Sequence, residues 1–392
     1  MEIEISSNLK KTAKLPIRLS TPVTDDSDVK SIVNAVKRNE IAMGSSIDNF
    51  ETLLAKETQF RHCVSVSSGT AAIHLSLLSL GATRNTKIFV PTMTFAGTAF
   101  PISYIGSQGI FCDIDQNFLN LDLENLSLAL KNTRRSFKGQ IIVIGVDLYG
   151  TPQNYSQLFK LTKKYDADLV IDAAESLGSK FKLGKLSNLC DLAILSFNGN
   201  KIITTGGGGA VLTNNQELIK KIQHLANQAK VSSLPYYFHD TTGYNYRLSN
   251  LQASIGISQL RKLRNFTTMR REIRSYYKTK FKNNPRLEIL QDPEWGKSNA
   301  WLTILRIAPS KNDNLEILKL HKFMHESGVE TRMLWNPLHK NLAFRKFKKT
   351  SSLVNSETAF NNSICLPSTP SLTKIQQGFV VKKINYFFRN KS

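Results

Sequence analysis

The stretch ADLVIDAAESLG, residues 167–178, decides the fold class of this chain. Its apolar run leads directly into Asp172, a pattern typical of a parallel strand that is buried on both faces and ends in a carboxylate. Two more apolar runs flank it, QIIVIGVDLYG at 140–150 and DLAILSF at 191–197, and the amphipathic LFKLTKKYD at 158–166 precedes it. Strands that alternate with helices predict a mostly parallel α/β sheet. We expect residues 167–178 to run from this strand into a helix.

Along the rest of the chain, the pattern of hydrophobic residues differs between the first half and the part after about residue 250. In the alternating first half, TAAIHLSLLSLG at 70–81 predicts a helix closed by its glycine. The amphipathic stretch at 251–282 predicts a long helix, and the short runs after it predict a small α/β unit. We therefore expect a large domain at 1–255, with an N-terminal arm at about residues 1–25, and a small C-terminal domain at 256–392.

Composition places the chain among ordinary globular proteins, since 41% of its 392 residues are hydrophobic and 21% are charged. No apolar run is long enough to span a bilayer, and the N-terminal stretch lacks the apolar centre of a secretory signal. The expected location is therefore cytoplasmic. The four cysteines lie far apart with no CxxC pair, which argues against a zinc site or disulfides and agrees with a reducing compartment.

The formal net charge of +22 raises the possibility of a nucleic-acid-binding protein. However, the basic residues are scattered over the whole length, and no RRM, zinc-finger or helix-turn-helix signature accompanies them. We expect no nucleic-acid partner and no membrane partner. The excess charge is then a solvated surface, or a basic rim that attracts an anionic substrate.

A second motif follows the strand at 191–197. In SFNGNKIITTGGGG, residues 196–209, Lys201 lies in a polar loop between a buried strand and four consecutive glycines. Four glycines are costly in conformational entropy, so such a run indicates close backbone approach or unusual φ/ψ angles. A desolvated lysine is a competent amine nucleophile for a carbonyl. The competing interpretation is a solvated surface charge, because the chain has 52 Lys and Arg residues.

A third motif, VSVSSGTAAIHLSLL at 64–78, leads small polar residues into a helix. Ser67, Ser68, Gly69 and Thr70 would present backbone N–H groups and hydroxyls at the positive helix end, which is an anion site. An ordinary Ser/Thr helix cap is the alternative. Neither the Walker A spacing nor a GxGxxG fingerprint is present.

Together, the three motifs meet the requirements of pyridoxal 5'-phosphate (PLP). This cofactor needs a lysine amine, an acid that keeps its pyridine nitrogen protonated, and an anchor for its phosphate. Lys201, Asp172 and the start of the helix at residue 69 are the candidates. For Asp172 the alternative is a simple cap of the helix that is expected to follow it.

Six segments occur in the order and character of a known family: SSGTAAIHLSL, VPTMTFAGTAF, VDLYGTP, VIDAAESLGS, LSFNGNKIITTGGGG and GYNYRLSNLQASIG. On these segments, over roughly residues 15–370, the chain resembles the DegT/DnrJ/EryC1/StrS family of PLP-dependent sugar aminotransferases. Within the family it looks most like the branch that aminates 4-keto sugars for legionaminic-acid-type pathways. The resemblance implies PLP-dependent transferase fold type I, which is aspartate-aminotransferase-like, with a mostly parallel seven-stranded sheet in the large domain.

The resemblance also implies roles for the motif residues. Lys201 would form the Schiff base and move protons between the donor and the cofactor, and Asp172 would pair with the pyridine nitrogen. Phe95, in TMTF, would stack on the cofactor ring, and Glu175 would lie near its 3-oxygen. The residues implied at the phosphate are Gly69, Thr70, Ser196 and, from the neighbouring subunit, Asn245. The homodimer would therefore have shared active sites.

Other segments resemble the cleft-lining loops of the family. They contribute the candidate substrate-binding residues His239, Asn299, Arg332, Trp335 and His339. The competing interpretations are a structural ion pair for the arginine, structural hydrogen bonds for the histidines and ordinary packing for the tryptophan. No metal ligand is implied.

The resulting prediction is an aminotransferase that moves an amino group from an amino acid, glutamate first, to C4 of a nucleotide-linked 4-keto-6-deoxy sugar. The preferred substrate is UDP-2-acetamido-2,6-dideoxy-4-keto-hexose, for surface-glycan or nonulosonic-acid biosynthesis. Because Lys201 is kept where a dehydratase branch has histidine, amine transfer is favoured. A GDP-linked 4-keto-6-deoxymannose, a 3-keto sugar and a non-catalytic PLP-binding regulator are the alternatives. Two positions depart from many relatives, Asp147 in place of histidine and Gly207 in place of glutamate, which leaves sugar selection open.

Overall fold

A computed structural model describes residues 17–231, 233–308 and 315–389 of the chain. Most of the predicted N-terminal arm, residues 1–16, lies outside them. The helices are α1 (Asp26–Lys37), α2 (Ser45–Thr58), α3 (Gly69–Ser79), α4 (Ala96–Ile105), α5 (Leu123–Ser136), α6 (Tyr155–Lys164), α7 (Gln216–Ala226), α8 (Asn250–Phe281), α9 (Glu316–Glu326), α10 (Val354–Asn362) and α11 (Lys374–Arg389). The strands are β1 (His62–Val66), β2 (Lys87–Pro91), β3 (Gln108–Cys112), β4 (Ile141–Val146), β5 (Asp168–Asp172), β6 (Lys180–Phe181), β7 (Leu192–Ser196), β8 (Gly209–Thr213), β9 (Leu287–Ile289), β10 (Gly296–Lys297), β11 (Thr303–Ile307), β12 (Arg332–Met333), β13 (Lys348–Lys349) and β14 (Ser363–Leu366).

The large sheet has the strand order β1-β8-β7-β5-β4-β2-β3-β13. Strands β7, β5, β4, β2 and β3 run parallel, whereas β8 is antiparallel to both β7 and β1. Seven of the strands belong to the predicted large domain, and the two-residue β13 extends the edge beyond β3. Because the parallel strands share one direction, their carboxyl ends meet along a single edge of the sheet.

Alternate residues of these strands enter two separate hydrophobic cores. In β4, Ile142 faces one core and Val143 the other. In β5, Val170 belongs to the first core, and Leu169 and Ile171 belong to the second. The sheet is therefore buried on both faces, as the near-continuous apolar runs predict.

Helix α8 connects the two predicted domains. Its start is fixed by a capping box between Ser249 and Gln252. Ala253, near its beginning, packs in a core of the large sheet, whereas Tyr277, near its end, packs against the four-stranded sheet β12-β14-β11-β9. The predicted boundary at 255/256 falls inside this continuous helix. The division into 1–255 and 256–392 stays a prediction.

The helix expected after β5 is not formed. Residues 174–178 are consecutive turns instead. The Asp172 side chain accepts a hydrogen bond from the Ala174 backbone N–H at 3.1 Å, and such local bonds from a side chain compete with helix formation. The prediction of a strand that runs into a helix is therefore wrong, and so is a helix-cap role for Asp172.

None of the described helices combines the length and the apolar character that crossing a bilayer requires. A membrane-spanning helix needs about 20 mostly apolar residues. Helix α8 has the length, but charged residues recur along its sequence NLQASIGISQLRKLRNFTTMRREIRSYYKTKF.

Candidate active site

The carboxyl ends of the parallel strands open onto a cavity of about 280 Å³. Its walls come from the segments after β1, β2, β5 and β7, together with two tryptophans of the C-terminal half. The predicted site residues that line it are Gly69, Thr70, Phe95, Asp172, Glu175, Ser196, Lys201 and Trp335. They converge because the ends of neighbouring parallel strands lie side by side, however far apart they are in sequence.

Lys201 is largely buried beside a carboxylate and an aromatic ring. Its side chain is 11% exposed, and Nζ lies 3.3 Å from Glu175 Oε1. The same nitrogen lies 4.3 Å from the centroid of the Trp301 ring. A turn holds the loop, since the Lys201 backbone N–H donates to the carbonyl of Asn198 at 3.0 Å. Lysine is rarely buried without a partner, so the interpretation of Lys201 as a solvated surface charge is wrong.

The glycines after this loop let β8 pass close to the start of α3. A Cβ at Gly209 would lie 2.6 Å from the carbonyl carbon of Ser68. Gly208 has a φ of +148°, a conformation that residues with a side chain rarely adopt. The predicted close approach of the backbone is therefore confirmed. It brings the loop of Lys201 next to the amino end of α3.

Asp172 ends β5 with a buried carboxylate. Its Oδ2 accepts a hydrogen bond from Thr98 Oγ1 at 2.7 Å, and its Oδ1 accepts one from the Ala174 N–H. Burial raises the pKa of Asp172, against the opposing effects of these two bonds and of the nearby Lys201 charge. A carboxylate in such a setting is stabilised strongly by a cationic group placed beside it.

The turn after β5 holds Glu175 from several sides. Glu175 Oε2 accepts a hydrogen bond from the Tyr149 backbone N–H at 2.6 Å, while Oε1 faces Lys201. The Glu175 carbonyl accepts a hydrogen bond from Asn299 Nδ2 at 2.8 Å. Asn299 is fully buried and also donates to the carbonyl of Leu177. It supports the turn from behind and is not among the residues that line the cavity.

The amino end of α3 forms one end of the cavity. Ser68 caps this helix, because its hydroxyl accepts a hydrogen bond from the Ala71 N–H at 3.0 Å. Gly69 packs against Ser196, since a Cβ at Gly69 would lie 3.1 Å from Ser196 Cβ. The first N–H groups of a helix have no partner within it, and the helix dipole is positive there. The predicted Ser/Thr cap is therefore formed by Ser68, and the anion site at this helix end stays a prediction.

Phe95 and Trp335 form an aromatic wall. Their ring centroids are 5.2 Å apart at 55°, and Phe95 is 53% exposed. The indole Nε1 of Trp335 is buried and makes no hydrogen bond with any described residue. The Arg332 guanidinium lies 5.6 Å from the Trp335 ring centroid, and Arg332 itself does not line the cavity.

Three further predicted residues lie away from this cavity. Both ring nitrogens of His339 are engaged, by Thr92 Oγ1 at 2.8 Å and by Glu357 Oε1 at 2.9 Å. His239 is exposed and bonds to a backbone carbonyl at 2.8 Å. Asn245 is exposed and forms an isolated antiparallel β-bridge with Asn227. Their substrate and cofactor contacts stay predictions.

Three residues that contact Asp172, Glu175 or Lys201 were not singled out from the sequence. Thr98 follows Phe95 by three residues, and this spacing was a usable signal, because Phe95 is the N-cap of α4 and Thr98 lies in its first turn. Tyr149 contacts Glu175 through its backbone N–H, and a backbone contact cannot be predicted from the type of side chain. Trp301 donates from Nε1 to the carbonyl of Asn200 at 2.7 Å, and only the tertiary fold brings it to Lys201.

The similarity to known proteins extends over nearly the whole chain. The sequence model of the DegT/DnrJ/EryC1/StrS aminotransferase family matches residues 22–385. The chain belongs to this family. As a DegT/DnrJ/EryC1/StrS aminotransferase it depends on PLP.

Two relatives of this DegT/DnrJ/EryC1/StrS member share most of its length. GDP-perosamine synthase of Escherichia coli O157:H7 is 31% identical over 349 residues, which are 89% of this chain and 92% of the relative. UDP-4-amino-4,6-dideoxy-N-acetyl-beta-L-altrosamine transaminase of Campylobacter jejuni is 30% identical over 344 residues, 88% and 90% of the two chains. The solved PLP form of Spr1654 from Streptococcus pneumoniae matches with a TM-score of 0.87 at 22% identity, over 96% of this chain and 99% of that one. The predicted fold type is confirmed.

Proposed function

We propose that this family member is a nucleotide-sugar aminotransferase that moves an amino group from an amino acid, glutamate first, to C4 of a nucleotide-linked 4-keto-6-deoxy sugar. The observation that carries amine transfer is a single cavity lined by both the largely buried Lys201 amine and the buried Asp172 carboxylate. The choice of a sugar is supported by two relatives, which are named after a GDP-linked and a UDP-linked amino sugar.

The donors around the cavity fit PLP. Asp172 offers a buried acid of raised pKa, to which a protonated pyridine nitrogen would supply the missing positive charge. The amino end of α3, with Gly69, Thr70 and Ser196, suits the phosphate, and the exposed ring of Phe95 suits the cofactor ring. When bound, PLP supplies the electron sink that makes loss of the Cα proton from the donor possible.

Lys201 would both attach the cofactor and move the proton. Its Nζ would hold PLP covalently in the resting enzyme, and the same nitrogen would serve as the base for the proton of the donor's Cα. Glu175 Oε1 lies 3.3 Å from Nζ, within ion-pair distance of this nitrogen. Because Tyr149 holds the other oxygen of the same carboxylate, Glu175 also sets where Nζ lies.

The sugar end of the site is proposed at the aromatic wall. Phe95 and Trp335 offer ring faces to a sugar, and Arg332 places a positive charge beside Trp335, where a diphosphate would be attracted. Asn245 is proposed to reach the phosphate bound by the neighbouring subunit of a homodimer, which agrees with its exposure. His239 and His339 are the weaker substrate candidates.

The first substrate we propose is UDP-2-acetamido-2,6-dideoxy-4-keto-hexose. The Campylobacter jejuni relative favours it, because that relative is named after a UDP-linked N-acetyl amino sugar. GDP-linked 4-keto-6-deoxymannose is the second candidate, because the Escherichia coli relative is a GDP-perosamine synthase.

A substrate panel tests this function. Purified protein is incubated with PLP, glutamate and UDP-, GDP- and dTDP-linked keto sugars, and the products are identified by mass spectrometry. We expect the 4-keto UDP-acetamido sugar to exchange its ketone for an amine. Lys201→Ala should abolish the product, whereas Lys278→Ala, at an exposed position of α8, should not. Reaction of 3-keto sugars alone would contradict the C4 assignment, and glutamate turnover without any aminated sugar would contradict the sugar assignment.

A further inference from the structure

Asp147 follows β4 with a buried carboxylate to which the proposed reaction assigns no role. Three donors converge on it. Tyr155 Oη and Ser176 Oγ donate to Oδ2 at 2.5 and 2.6 Å, and the Gln153 backbone N–H donates to Oδ1 at 2.9 Å. Burial raises the pKa of Asp147 to about 7, against these three bonds, while the neighbouring Asp172 charge adds to the rise.

Ser176 connects this carboxylate to the active site. It directly follows Glu175, the residue whose carboxylate lies 3.3 Å from Lys201 Nζ. Of the three donors to Asp147, Ser176 alone belongs to the turn that carries Glu175. The other two, Gln153 and Tyr155, belong to the segment after β4 itself.

The segment after β4 makes two further hydrogen bonds to the Glu175 turn and to the residue that follows it. The Tyr149 N–H donates to Glu175 Oε2 at 2.6 Å, and the Gly150 carbonyl accepts from Ser179 Oγ at 2.7 Å. Tyr149 has a φ of +53°, a strained conformation that persists only where its surroundings hold it. Asp147 links the segment after β4 to the Glu175 turn. It accepts a hydrogen bond from Gln153 in the segment and another from Ser176 in the turn.

We propose that Asp147 is a positioning residue for amine transfer, which acts through Ser176 to fix the turn that presents Glu175 to Lys201. The proposal rests on the proposed attachment of PLP to Lys201. A carboxylate within about 4–6 Å of a cation raises the pKa of that cation by about 1–3 units. Loosening the turn therefore weakens the contact between the Glu175 carboxylate and the Lys201 nitrogen.

Other charged groups lie close enough to contribute to the same titration. Asp172 faces Lys201 together with Glu175. Asp147 itself is faced by Asp172, Tyr155 and Cys190. Single substitutions of Ser176 leave all of these groups in place, so they separate the position of Glu175 from the charge of its neighbours.

A matched pair of serine substitutions tests the proposal. Ser176→Ala removes the bond to Asp147. Ser356→Ala removes a bond of the same kind, because the buried Ser356 Oγ donates to the buried Asp113 Oδ1 at 2.5 Å, away from the cavity. The readout is the pH titration of the absorbance of the Lys201-bound cofactor in the holoenzyme, with the melting temperature of each variant as a measure of folding.

We expect Glu175→Gln to lower the apparent pKa of this titration by about 1 unit or more, and Ser176→Ala to lower it by roughly half as much. Ser356→Ala should titrate like the unmodified protein, although both serine variants lower the melting temperature. Asp147→Ala should shift the titration in the same direction as Ser176→Ala. If Asp147→Ala does not fold, the titration of Ser176→Ala alone tests the positioning role.

An unchanged titration in Ser176→Ala would overturn the proposal, and so would an unchanged titration in Glu175→Gln. Two other experiments would show whether the proposed function itself fails. Covalent PLP on Lys201→Ala after borohydride reduction, detected by peptide mass spectrometry, would refute the attachment itself. A panel without aminated sugars would refute the substrate and leave the titration result intact.

Discussion

The large sheet and the small C-terminal sheet contribute to the cavity in different ways. In the large sheet, Asp172 ends one strand, while Gly69, Phe95 and Lys201 lie after three others, and all four residues line the cavity. Their segments are far apart in sequence. They meet because parallel strands place their carboxyl ends along one edge.

The predicted small domain at 256–392 shows no such convergence. Of its four candidate residues, only Trp335 lines the cavity, whereas Asn299, Arg332 and His339 do not. Asn299 and His339 are committed to structural hydrogen bonds. A residue's place after a buried parallel strand thus carries functional information, which a residue type in a connecting loop does not.

The largest expected effect is at the best-placed strand-end residue. Lys201→Ala removes the amine that faces Glu175, so we expect amine transfer to fall by about 10³-fold or more, the scale for losing a group that is both nucleophile and base. Single-turnover transfer from glutamate measures it, with Lys278→Ala as control. Retention of full activity in Lys201→Ala would show that the strand ends of the large sheet do not supply the reacting amine.

A smaller loss is expected at Asp172. Asp172→Asn keeps the shape of the side chain but removes the charge, so we expect kcat/KM to fall by roughly 10²-fold. Asp168→Asn, at the other end of the same strand, is the control, because Asp168 does not line the cavity. Equal effects at both ends of β5 would show that the strand end has no special role.

The third prediction concerns Asn245, which is exposed in the single chain. If it completes the site of a neighbouring subunit, Lys201→Ala and Asn245→Ala should each be impaired alone, and mixed dimers should regain activity. Random mixing of equal amounts should restore roughly a quarter of the unmodified activity, because half of the dimers then contain one intact site. No recovery, in mixtures shown by mass to contain heterodimers, would contradict the shared site.

The smallest expected effect on activity is at His339, whose side chain is 1% exposed. His339→Ala should lower the free energy of unfolding by about 1–3 kcal/mol, since it removes hydrogen bonds to the buried Thr92 hydroxyl and to the partly exposed Glu357. Cofactor attachment should persist. Loss of kcat/KM without loss of stability would instead place this small-domain residue at the substrate.

His339 also makes a prediction about pH. Burial lowers the pKa of His339 below its ordinary value of 6.5, although the Glu357 carboxylate beside it acts in the opposite direction. The unfolded chain therefore binds this proton more readily, and stability is lost as the pH falls from about 6.5 through the lower folded pKa. Urea unfolding at pH 7.5 and 5.5 should show a smaller decrease for His339→Ala than for the unmodified protein.

Sequence patterns predicted the fold wherever the signal was local and repeated. The apolar run at 141–146 is a strand, and the amphipathic stretch at 251–282 is a helix displaced by one residue. The turns at 174–178 were missed, because bonds to other segments and to Asp172 compete with a helix there. The Ala174 N–H donates to Asp172, and the Glu175 and Leu177 carbonyls accept from Asn299. The β13 strand was missed as well, since two residues carry no periodicity.

By itself, the sequence determined which residues could carry the chemistry. Lys201, Asp172 and the start of α3 were identifiable because a buried strand, a run of glycines and a polar helix start each leave a local pattern. Only the tertiary structure decided that Glu175 faces Lys201 and that Trp301 lies beside Lys201. Those contacts join segments from different elements, and packing between distant segments leaves no periodic trace along the chain.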